Sequence, residues 1–481
     1  MAQGSSALNA AIAATRFGLG ARPGEIETAS ADPKAWLASQ ISPEGADQPT
    51  GAFPSSADQI RTLRDYQQDV REMRRGRPAA GAAMSEPAAS GSMPMQPAAG
   101  AEPAEDPLVA AAQRRIRESA GTEFLARIRL ACATPASFRE RWALFWFNHF
   151  TVSAVQLQTA VVTGAFEREA IRPRVFGRFE DLLVASTRHP AMLLYLDQAQ
   201  SFGPNSVAGR VRRRGLNENL AREILELHTI GADAGYTQGD VTEFARALTG
   251  WSIGGLRESA EVQGRFRYRQ VGHEPGERTV MGRRYPDRGE HQALNILKDL
   301  AADPRTARRT CRRLARHFVA DDPPEALVAR LTEAWTRSGG RLDVVARALI
   351  EAPEAWDPEP RKLKTPYEFL VSAHRAVGAE PQTLERLAIL NALGQRPFSP
   401  PSPKGWPDEA AAWAAPDAVI KRLEYAKVFA AYAAARFEPQ ALARTALGAR
   451  MGERTGQAVA RAESRQEAIA VLLMSPEFQR R

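Results

Sequence analysis

The chain has 481 residues, of which 44% are hydrophobic, so it is long enough for a substantial core and for two or three domains. Lys and Arg number 64 against 56 Asp and Glu, and the formal net charge is +8. The basic residues are spread along the chain, which argues against nucleic-acid binding as its main function. Apolar runs stay well short of the roughly 18 residues of a membrane span, so no transmembrane segment is expected. Cys132 and Cys311 are too few for a thiolate metal site and are expected to be buried, unpaired thiols.

Composition divides the chain into three parts. Residues 1–76 are predicted to form N-terminal helices, the last at about 57–76. Residues 77–106 consist almost entirely of Ala, Gly, Pro, Ser and Met. Such a composition cannot bury enough apolar surface to offset the entropy of ordering, so it predicts a low-complexity, disordered insert. Residues 107–481 are predicted to be the main helical domain.

Helical periodicity dominates outside the insert. The stretch "SFRERWALFWFNHF" predicts a helix with one aromatic face, and Thr237 followed by Asp240 is typical of a capping box at a helix start. The predicted aromatic face carries Phe138, Trp142, Phe145, Trp146 and His149.

The β signal is confined to residues 265–282, where the alternating Phe266 and Tyr268 precede a Pro-Gly turn and a short return strand. This pattern predicts one small β-hairpin. The expected fold class is therefore mainly α, a multi-helical globular domain with that hairpin and the disordered insert.

The stretch "NENLAREILELHTIGADAGYTQGDVTEFARALTGW", residues 217–251, is rich in groups that bind metals or move protons. A helical projection puts His228 near the middle of an apolar face and Glu223 at its border. The two are about 140° apart, so they cannot chelate one ion as neighbours on one helix. His149 also lies on the apolar face of its helix, and His273 lies in the predicted hairpin turn.

Two interpretations of these histidines remain open. Each buried imidazole can simply hydrogen-bond within the core, which is the commoner case. Three imidazoles with a carboxylate would also suit a divalent metal such as zinc or iron. Imidazole and carboxylate groups can run acid–base chemistry without a metal as well.

Several familiar site types are excluded by spacing. The loop containing Asp233 and Asp240 lacks the ligand pattern of an EF-hand, and the chain has no nucleophile elbow, Walker loop or dinucleotide fingerprint. "RTARRTCRRLARHF", residues 305–318, predicts a helix with a solvated basic face.

The chain resembles a bacterial family known as domain of unknown function 1800. The resemblance lies in several segments that follow one another and cover most of the chain outside the insert. These segments are "ATRFGLGARPGE", "RERWALFWFNHFTVS", "HPAMLLYLD", the 217–251 stretch, "FRYRQVGHEPGERTVMG", "KLKTPYEFLVSAHRAVG" and "LGQRPFSPPSPKGWPDEAAAW". By this resemblance His273 belongs to a turn motif of the family and Trp406 to a motif late in the chain. The resemblance assigns no activity. The family tends to have a second histidine where this chain has Phe147.

The resemblance also implies a partner. Genes of this family often lie beside those of family 1501, whose members resemble phosphatases or sulfatases and commonly carry export signals. In this chain the first residues already enter the opening motif, so we expect no leader and a cytoplasmic location. Export together with a partner, or translation from an upstream start, are the alternatives.

The leading functional hypothesis is an enzyme-like cleft around the 217–251 hairpin, with hydrolysis by a metal-activated water as the first reaction to test. The alternative is a non-catalytic partner or export companion of the co-encoded phosphatase-like protein. In the enzyme hypothesis the metal ligands are His149, His228 and His273, the carboxylate partners are Glu223 or Glu226 and Asp240, and the anion clamps are Arg222 and Arg246.

Overall fold

A computed structural model describes residues 2–76, 107–212, 215–255 and 258–481. The insert predicted at 77–106 therefore lies outside the described residues. Within the described ranges the chain is mainly helical, with short antiparallel strand pairs, so the predicted fold class is confirmed.

The helices follow one another through the described ranges. Before residue 212 they are α1 (Ala2–Ile12), α2 (Glu25–Ala29), α3 (Pro33–Ala38), α4 (Ser56–Gly76), α5 (Pro107–Ala133), α6 (Ser137–His149), α7 (Leu157–Ala160), α8 (Thr163–Phe166), α9 (Phe179–Arg188), α10 (Pro190–Tyr195) and α11 (Val207–Arg212). After it they are α12 (Asn219–Glu223), α13 (Gln238–Leu248), α14 (Glu290–Ala302), α15 (Pro304–Phe318), α16 (Glu325–Ser338), α17 (Leu342–Glu351), α18 (Pro366–Ala376), α19 (Ala388–Ala392), α20 (Pro416–Ala434), α21 (Pro439–Leu447), α22 (Glu453–Arg461), α23 (Arg465–Met474) and α24 (Pro476–Gln479).

Some turns are wound more loosely or more tightly than an α-helix. The π-helical segments are Ala13–Phe17, Glu167–Ile171 and Ile224–His228. The 3-10 turns are Arg172–Arg174, Gln198–Gln200, Ala232–Ala234, Gln270–Gly272, Pro353–Trp356, Leu384–Leu387, Ala410–Ala412 and Gly448–Arg450.

The strands pair differently from the predicted single hairpin. Strand β1 (Trp251–Ile253) pairs with β2 (Phe266–Tyr268), and β3 (Arg278–Val280) pairs with β4 (Arg283–Tyr285). The β3–β4 turn has φ of 52° at Met281 and 77° at Gly282. Positive φ at both central residues matches the right-handed twist of the two strands, so β3 closes on β4 instead of returning to β2.

One hydrophobic core runs through most of the chain. Phe17, Leu37 and Ile60 of the N-terminal part belong to the same buried cluster as Trp142. The N-terminal part up to Ile60 therefore shares the core of the segment that follows the insert. A second cluster lies among α18 and α20–α24, and α18 contributes residues to both clusters. This double packing fixes the position of the residues at the start of α18.

The predicted aromatic face of α6 is confirmed. Its rings are buried, and Trp142 stacks on Phe176 with the ring centroids 6.0 Å apart. The capping box at Thr237 is also confirmed, as are the buried, unpaired states of Cys132 and Cys311.

Beside α6 lies a buried ion network. The Arg172 guanidinium, with none of its side chain exposed, binds both oxygens of Glu140 at 2.8 Å and also binds Glu167. Arg127 Nε completes the network with a 2.9 Å contact to Glu167. Burial of these charges is tolerated because each one is paired within the network.

In the part of the chain that the structure describes, each helix is too short or too polar to cross a lipid bilayer.

Candidate functional site

A cavity of about 80 Å³ lies where six segments meet: the loop at Leu19, α5, α6, the last turn of α15, the first turn of α18 and the loop 395–408. It has room for about two or three water molecules. Four of these six, namely Leu19, α6, the first turn of α18 and the loop 395–408, belong to the stretches that carry the family resemblance. The lining residues that bear polar groups are Arg127, Arg141, Asn148, His317, Thr365, Tyr367, Glu368, Gln395, Arg396 and Asp408.

His317 and Asp408 form a hydrogen-bonded pair in the cavity wall. His317 Nδ1 lies 2.8 Å from Asp408 Oδ1. Burial raises the pKa of Asp408, but its contacts with His317 and Lys362 outweigh burial and lower the pKa to about 2. Asp408 is therefore a carboxylate at neutral pH, and it can only accept this hydrogen bond.

The protonation of His317 follows from that acceptor. Burial lowers the pKa of His317 below its ordinary value, although Asp408 opposes the shift. The ring is then neutral near pH 7, with its proton on Nδ1. Its Nε2 atom is buried and has no hydrogen-bond partner among the described residues. A neutral imidazole oriented by a carboxylate, with a bare Nε2, is arranged as a general base.

The loop that carries Asp408 is held from both sides. Asn148 of α6 donates to the Trp406 carbonyl at 2.9 Å and accepts from the Trp406 N–H at 2.8 Å. Gly405 has φ of +87°, and a Cβ there would lie 2.6 Å from the Asn148 carbonyl oxygen. Only glycine allows this close approach. On the other side Lys362 Nζ donates to the Asp408 carbonyl and to Asp321.

Glu368 ties the first turn of α18 to the cavity. It forms a capping box with Thr365, whose N–H lies 2.8 Å from Glu368 Oε2. The other carboxylate oxygen pairs with Arg141 and, at 3.1 Å, with Arg481. Burial raises the pKa of Glu368, but these two guanidinium groups reverse the shift and hold the pKa well below its usual range. Arg481 also donates to the His317 carbonyl at 2.6 Å, which fixes the end of α15.

An aromatic wall closes another side of the cavity. The Arg127 guanidinium lies 4.9 to 5.5 Å from the ring centres of Phe124, Phe147, Tyr367 and Phe398. The Tyr367 hydroxyl is buried without a hydrogen-bond partner among the described residues. Burial raises the pKa of Tyr367, so its hydroxyl stays protonated and can donate to a ligand.

The structure brings two of the three predicted metal ligands together. The rings of His149 and His228 are 6.3 Å apart, and both are almost fully buried. Arg313 lies 2.9 Å from His149 Nδ1, and an arginine can only donate. His149 Nδ1 is therefore an acceptor, and its Nε2–H donates to the His228 carbonyl at 3.1 Å. Both ring nitrogens of His149 are occupied by hydrogen bonds.

The charge around this histidine pair is positive. Burial lowers the pKa of His149 well below its usual value and that of His228 to about 3, and Arg309 and Arg313 add to both shifts. The predicted solvated basic face of α15 is therefore incomplete. Arg309 turns inward to the Leu227 carbonyl, and Arg313 turns inward to His149.

His273, the third predicted ligand, makes a different set of contacts. Its Nδ1 lies 3.0 Å from the Thr249 carbonyl, and its Nε2 lies 3.5 Å from Asp287. Within the described ranges, no group of three or more His, Cys, Asp or Glu side chains is arranged to hold a metal ion.

The predicted carboxylates of the 217–251 stretch have local partners. Glu226 accepts from the Tyr236 hydroxyl, and Asp240 accepts from the backbone N–H groups of Thr237 and Met281. Burial raises the pKa of Glu223, and the neighbouring Glu226 adds to this shift. None of the three lines the cavity.

The two predicted anion clamps are also engaged locally. Arg222 contacts Glu218 at 3.4 Å and Glu226 at 3.7 Å, and Arg246 pairs with Glu243. Neither arginine lines the cavity. His228 is linked to the cavity through His149 and Arg313, since Arg313 helps to lower the pKa of Asp408.

Sequence reasoning missed His317, Asp408, Tyr367 and Arg396. Asp408, Tyr367 and Arg396 lie in segments already quoted for the family resemblance, so the convergence of those segments was the available signal. His317 lies in the last turn of the basic helix, next to the buried Phe318. Its position at the edge of the apolar stripe was the only local sign of an inward direction.

A family model described as "Protein of unknown function (DUF1800)" matches residues 12–480. No curated protein and no solved structure matches the chain.

Proposed function

Because the chain belongs to the DUF1800 family, proteins of unknown function, we propose its function from the cavity itself: a hydrolase in which His317, oriented by Asp408, is the general base. The observation that carries this proposal is the 2.8 Å bond between His317 Nδ1 and Asp408 Oδ1 in the cavity wall, with Nε2 left without a partner among the described residues. The arrangement of a carboxylate, an imidazole and an open third position is that of hydrolytic sites on unrelated folds.

The nucleophile in this proposal is water. The hydroxyl groups in the cavity wall belong to Thr365 and Tyr367. Thr365 Oγ1 accepts the Glu368 N–H at 3.3 Å as a helix cap, and Tyr367 keeps its proton because burial raises its pKa. Neither hydroxyl is activated by His317 through a hydrogen bond. The cavity that His317 lines has room for a water molecule.

The reaction proceeds by two proton transfers. His317 Nε2 takes a proton from water as the water oxygen bonds to the electrophilic centre of the substrate. The imidazolium then gives that proton to the leaving group as its bond to the electrophilic centre breaks. Asp408 stabilises the transient imidazolium, while the Tyr367 hydroxyl and the Arg141 charge stabilise negative charge that develops on the substrate.

A metal-assisted version through His149, His228 and His273 would need different geometry. His149 would have to break its bond to Arg313 or to the His228 carbonyl before it could bind an ion. Elemental analysis of tag-free protein, with His149→Ala beside it, tests this version. One equivalent of zinc or iron that is lost in His149→Ala would favour it over the metal-independent reaction.

A non-catalytic partner role is the second candidate. The observation that favours it is a group of exposed apolar residues in the first turns of α20, where Val419, Ile420 and Leu423 are 46, 59 and 39% exposed. Exposed apolar residues that lie close together are typical of protein-binding surfaces. Copurification with a co-encoded phosphatase-like protein, abolished by Ile420→Glu, would support this role.

The hydrolase proposal is tested with chromogenic esters, amides and phosphate esters on purified protein. We expect hydrolysis of at least one class, lost in His317→Gln and retained in His291→Gln, which changes an exposed histidine. Thermal unfolding of each variant checks that it is folded. Lack of hydrolysis by the wild type, or equal hydrolysis by folded His317→Gln, would overturn the proposal.

A further inference from the structure

The cavity has an arginine without an acidic partner. Three arginines line the cavity: Arg127, Arg141 and Arg396. Arg127 pairs with Glu167, and Arg141 pairs with Glu368. For Arg396, no carboxylate of the described residues lies within ion-pair distance of its guanidinium. It is exposed, so it lies where the cavity meets solvent.

Arg396 stands on an ordered loop. The preceding residue, Gln395, accepts the Tyr367 N–H with its side chain at 2.7 Å, and the Arg396 carbonyl accepts the Ser399 N–H at 3.2 Å. The backbone is thus tied to the first turn of α18 and to the next turn of the loop. An arginine with a fixed backbone loses less conformational freedom when its side chain binds a ligand.

The cavity wall holds fewer negative charges than positive ones. Glu368 is shared by Arg141 and Arg481, and Asp408 is shared by His317 and the nearby Lys362. Among the lining residues three arginines stand against these two carboxylates, since His317 is neutral, so the wall carries a net positive charge. An anionic group that entered the cavity would gain from this local excess, because the partly buried site screens charges weakly.

We propose that the substrate carries a small anionic oxygen group, a carboxylate or a phosphate, which Arg396 binds at the cavity mouth. The inference rests on the proposed hydrolase function for the identity of the site, and it names the substrate class. The planar guanidinium matches both groups, because it can donate two parallel hydrogen bonds to their oxygens. A cavity of about 80 Å³ is small, so the part of the substrate that enters it is small as well.

The aromatic wall supports the same assignment. Phe124, Phe147 and Phe398 offer no hydrogen bonds, and the Tyr367 hydroxyl is a buried donor without a partner among the described residues. An anionic group that entered the cavity would bring acceptor oxygens to the wall that contains this hydroxyl. A buried donor without an acceptor costs free energy, so a ligand that supplies one is stabilised.

Calorimetric titration with inorganic phosphate, and separately with acetate, tests the inference at low ionic strength. The variants are Arg396→Gln and Arg347→Gln, the second of which removes one charge from an exposed arginine of α17 outside the cavity. We expect at least one anion to bind the wild type and Arg347→Gln alike. Arg396→Gln should weaken its affinity by about tenfold or more, the effect of losing a charge-assisted hydrogen bond.

Binding of neither anion, or equal affinity in Arg396→Gln and Arg347→Gln, would overturn the inference. His317→Gln separates it from the proposed function. Since neutral His317 is not an anion clamp, this variant should still bind the anion while it fails to hydrolyse substrate. If anion binding depends on Arg396 but His317→Gln still hydrolyses substrate, the proposed reaction is wrong. The inference about the anion would then still hold.

Discussion

Asn148 and Trp406, 258 residues apart in the chain, are joined by two reciprocal hydrogen bonds of 2.9 and 2.8 Å. The asparagine side chain pairs with the tryptophan backbone as a second backbone would. This contact connects the most aromatic helix of the core to the loop that carries Asp408. The catalytic carboxylate of the proposed reaction therefore depends on a residue that has no role in the chemistry itself.

Asn148→Ala should leave the N–H and carbonyl of Trp406 without their partner. We expect a loss of about 2 kcal/mol in the free energy of unfolding, because each half-buried group left unpaired is costly. Hydrolysis should fall as well, since Asp408 is then held less firmly. Denaturant unfolding measures the first effect, with Asn391→Ala as an exposed asparagine control. Equal stability of the two variants would show that the hydrogen bonds between Asn148 and Trp406 do not hold the loop.

Asp408→Asn should change both the rate and its pH dependence. The neutral form of His317 is the base, so hydrolysis is lost as the pH falls through the pKa of His317, which lies below 6.5. Asp408 raises that pKa, and its removal moves the acidic limb to still lower pH. The rate at pH 8 should drop by about 10³-fold or more, because the orienting acceptor is gone. Asp322→Asn, at an exposed position, should leave the profile unchanged.

Glu167→Gln should be far more damaging than Glu325→Gln. Each glutamate pairs with two arginines, but the side chain of Glu167 is 3% exposed and that of Glu325 is 54% exposed. Glu167→Gln leaves Arg127 and Arg172 buried with too little compensating charge, which costs about 3–5 kcal/mol. Glu325→Gln should leave the free energy of unfolding nearly unchanged, because water screens its pairs. Chemical denaturation of both variants gives the comparison.

The stability of the protein should fall as the pH is lowered from about 7 towards 4. Burial, followed by the charges of Arg309 and Arg313, lowers the pKa of His228 from 6.5 to about 3. Between those values the unfolded chain binds a proton that the folded chain does not, so acid favours unfolding. Each such histidine adds a slope of up to about 1.4 kcal/mol per pH unit.

His228→Leu should remove the contribution of one histidine to that slope. His291→Leu, at an exposed histidine, should leave the slope unchanged. The measurement is denaturant unfolding at several pH values between 4 and 7. Parallel pH dependences for the wild type and His228→Leu would show that His228 is protonated in the folded protein, contrary to its surroundings.

Local patterns predicted the helices well. The aromatic face of α6 and the Thr237 capping box each depend on residues within a few turns of one another, and periodicity reports such neighbours. The strand pairing was predicted less well, because β2 pairs with β1 across an intervening loop that carries no pairing signal.

The candidate site could be predicted only in part. His149 and His228 were rightly placed on apolar faces, and the structure shows them side by side in the core. The direction of His317 was not visible, because its partner Asp408 is 91 residues away. Contacts at such separations arise from tertiary packing, which no helical projection contains. The same limit explains why acids prominent in the 217–251 stretch proved to have local partners.

The π-helical turns have a consequence for how the length of this chain can vary. A π turn closes its hydrogen bond one residue later than an α turn, so each of Ala13–Phe17, Glu167–Ile171 and Ile224–His228 accommodates one residue more than a regular turn would. Deletion of a single residue there converts the turn to an α-helix and keeps the direction of the flanking helix. Relatives one residue shorter at these points would retain the helix but rotate Arg16, Glu167 or His228 out of its present setting. Gaps of one residue in a family alignment are therefore the places to look for members that have lost these buried polar contacts.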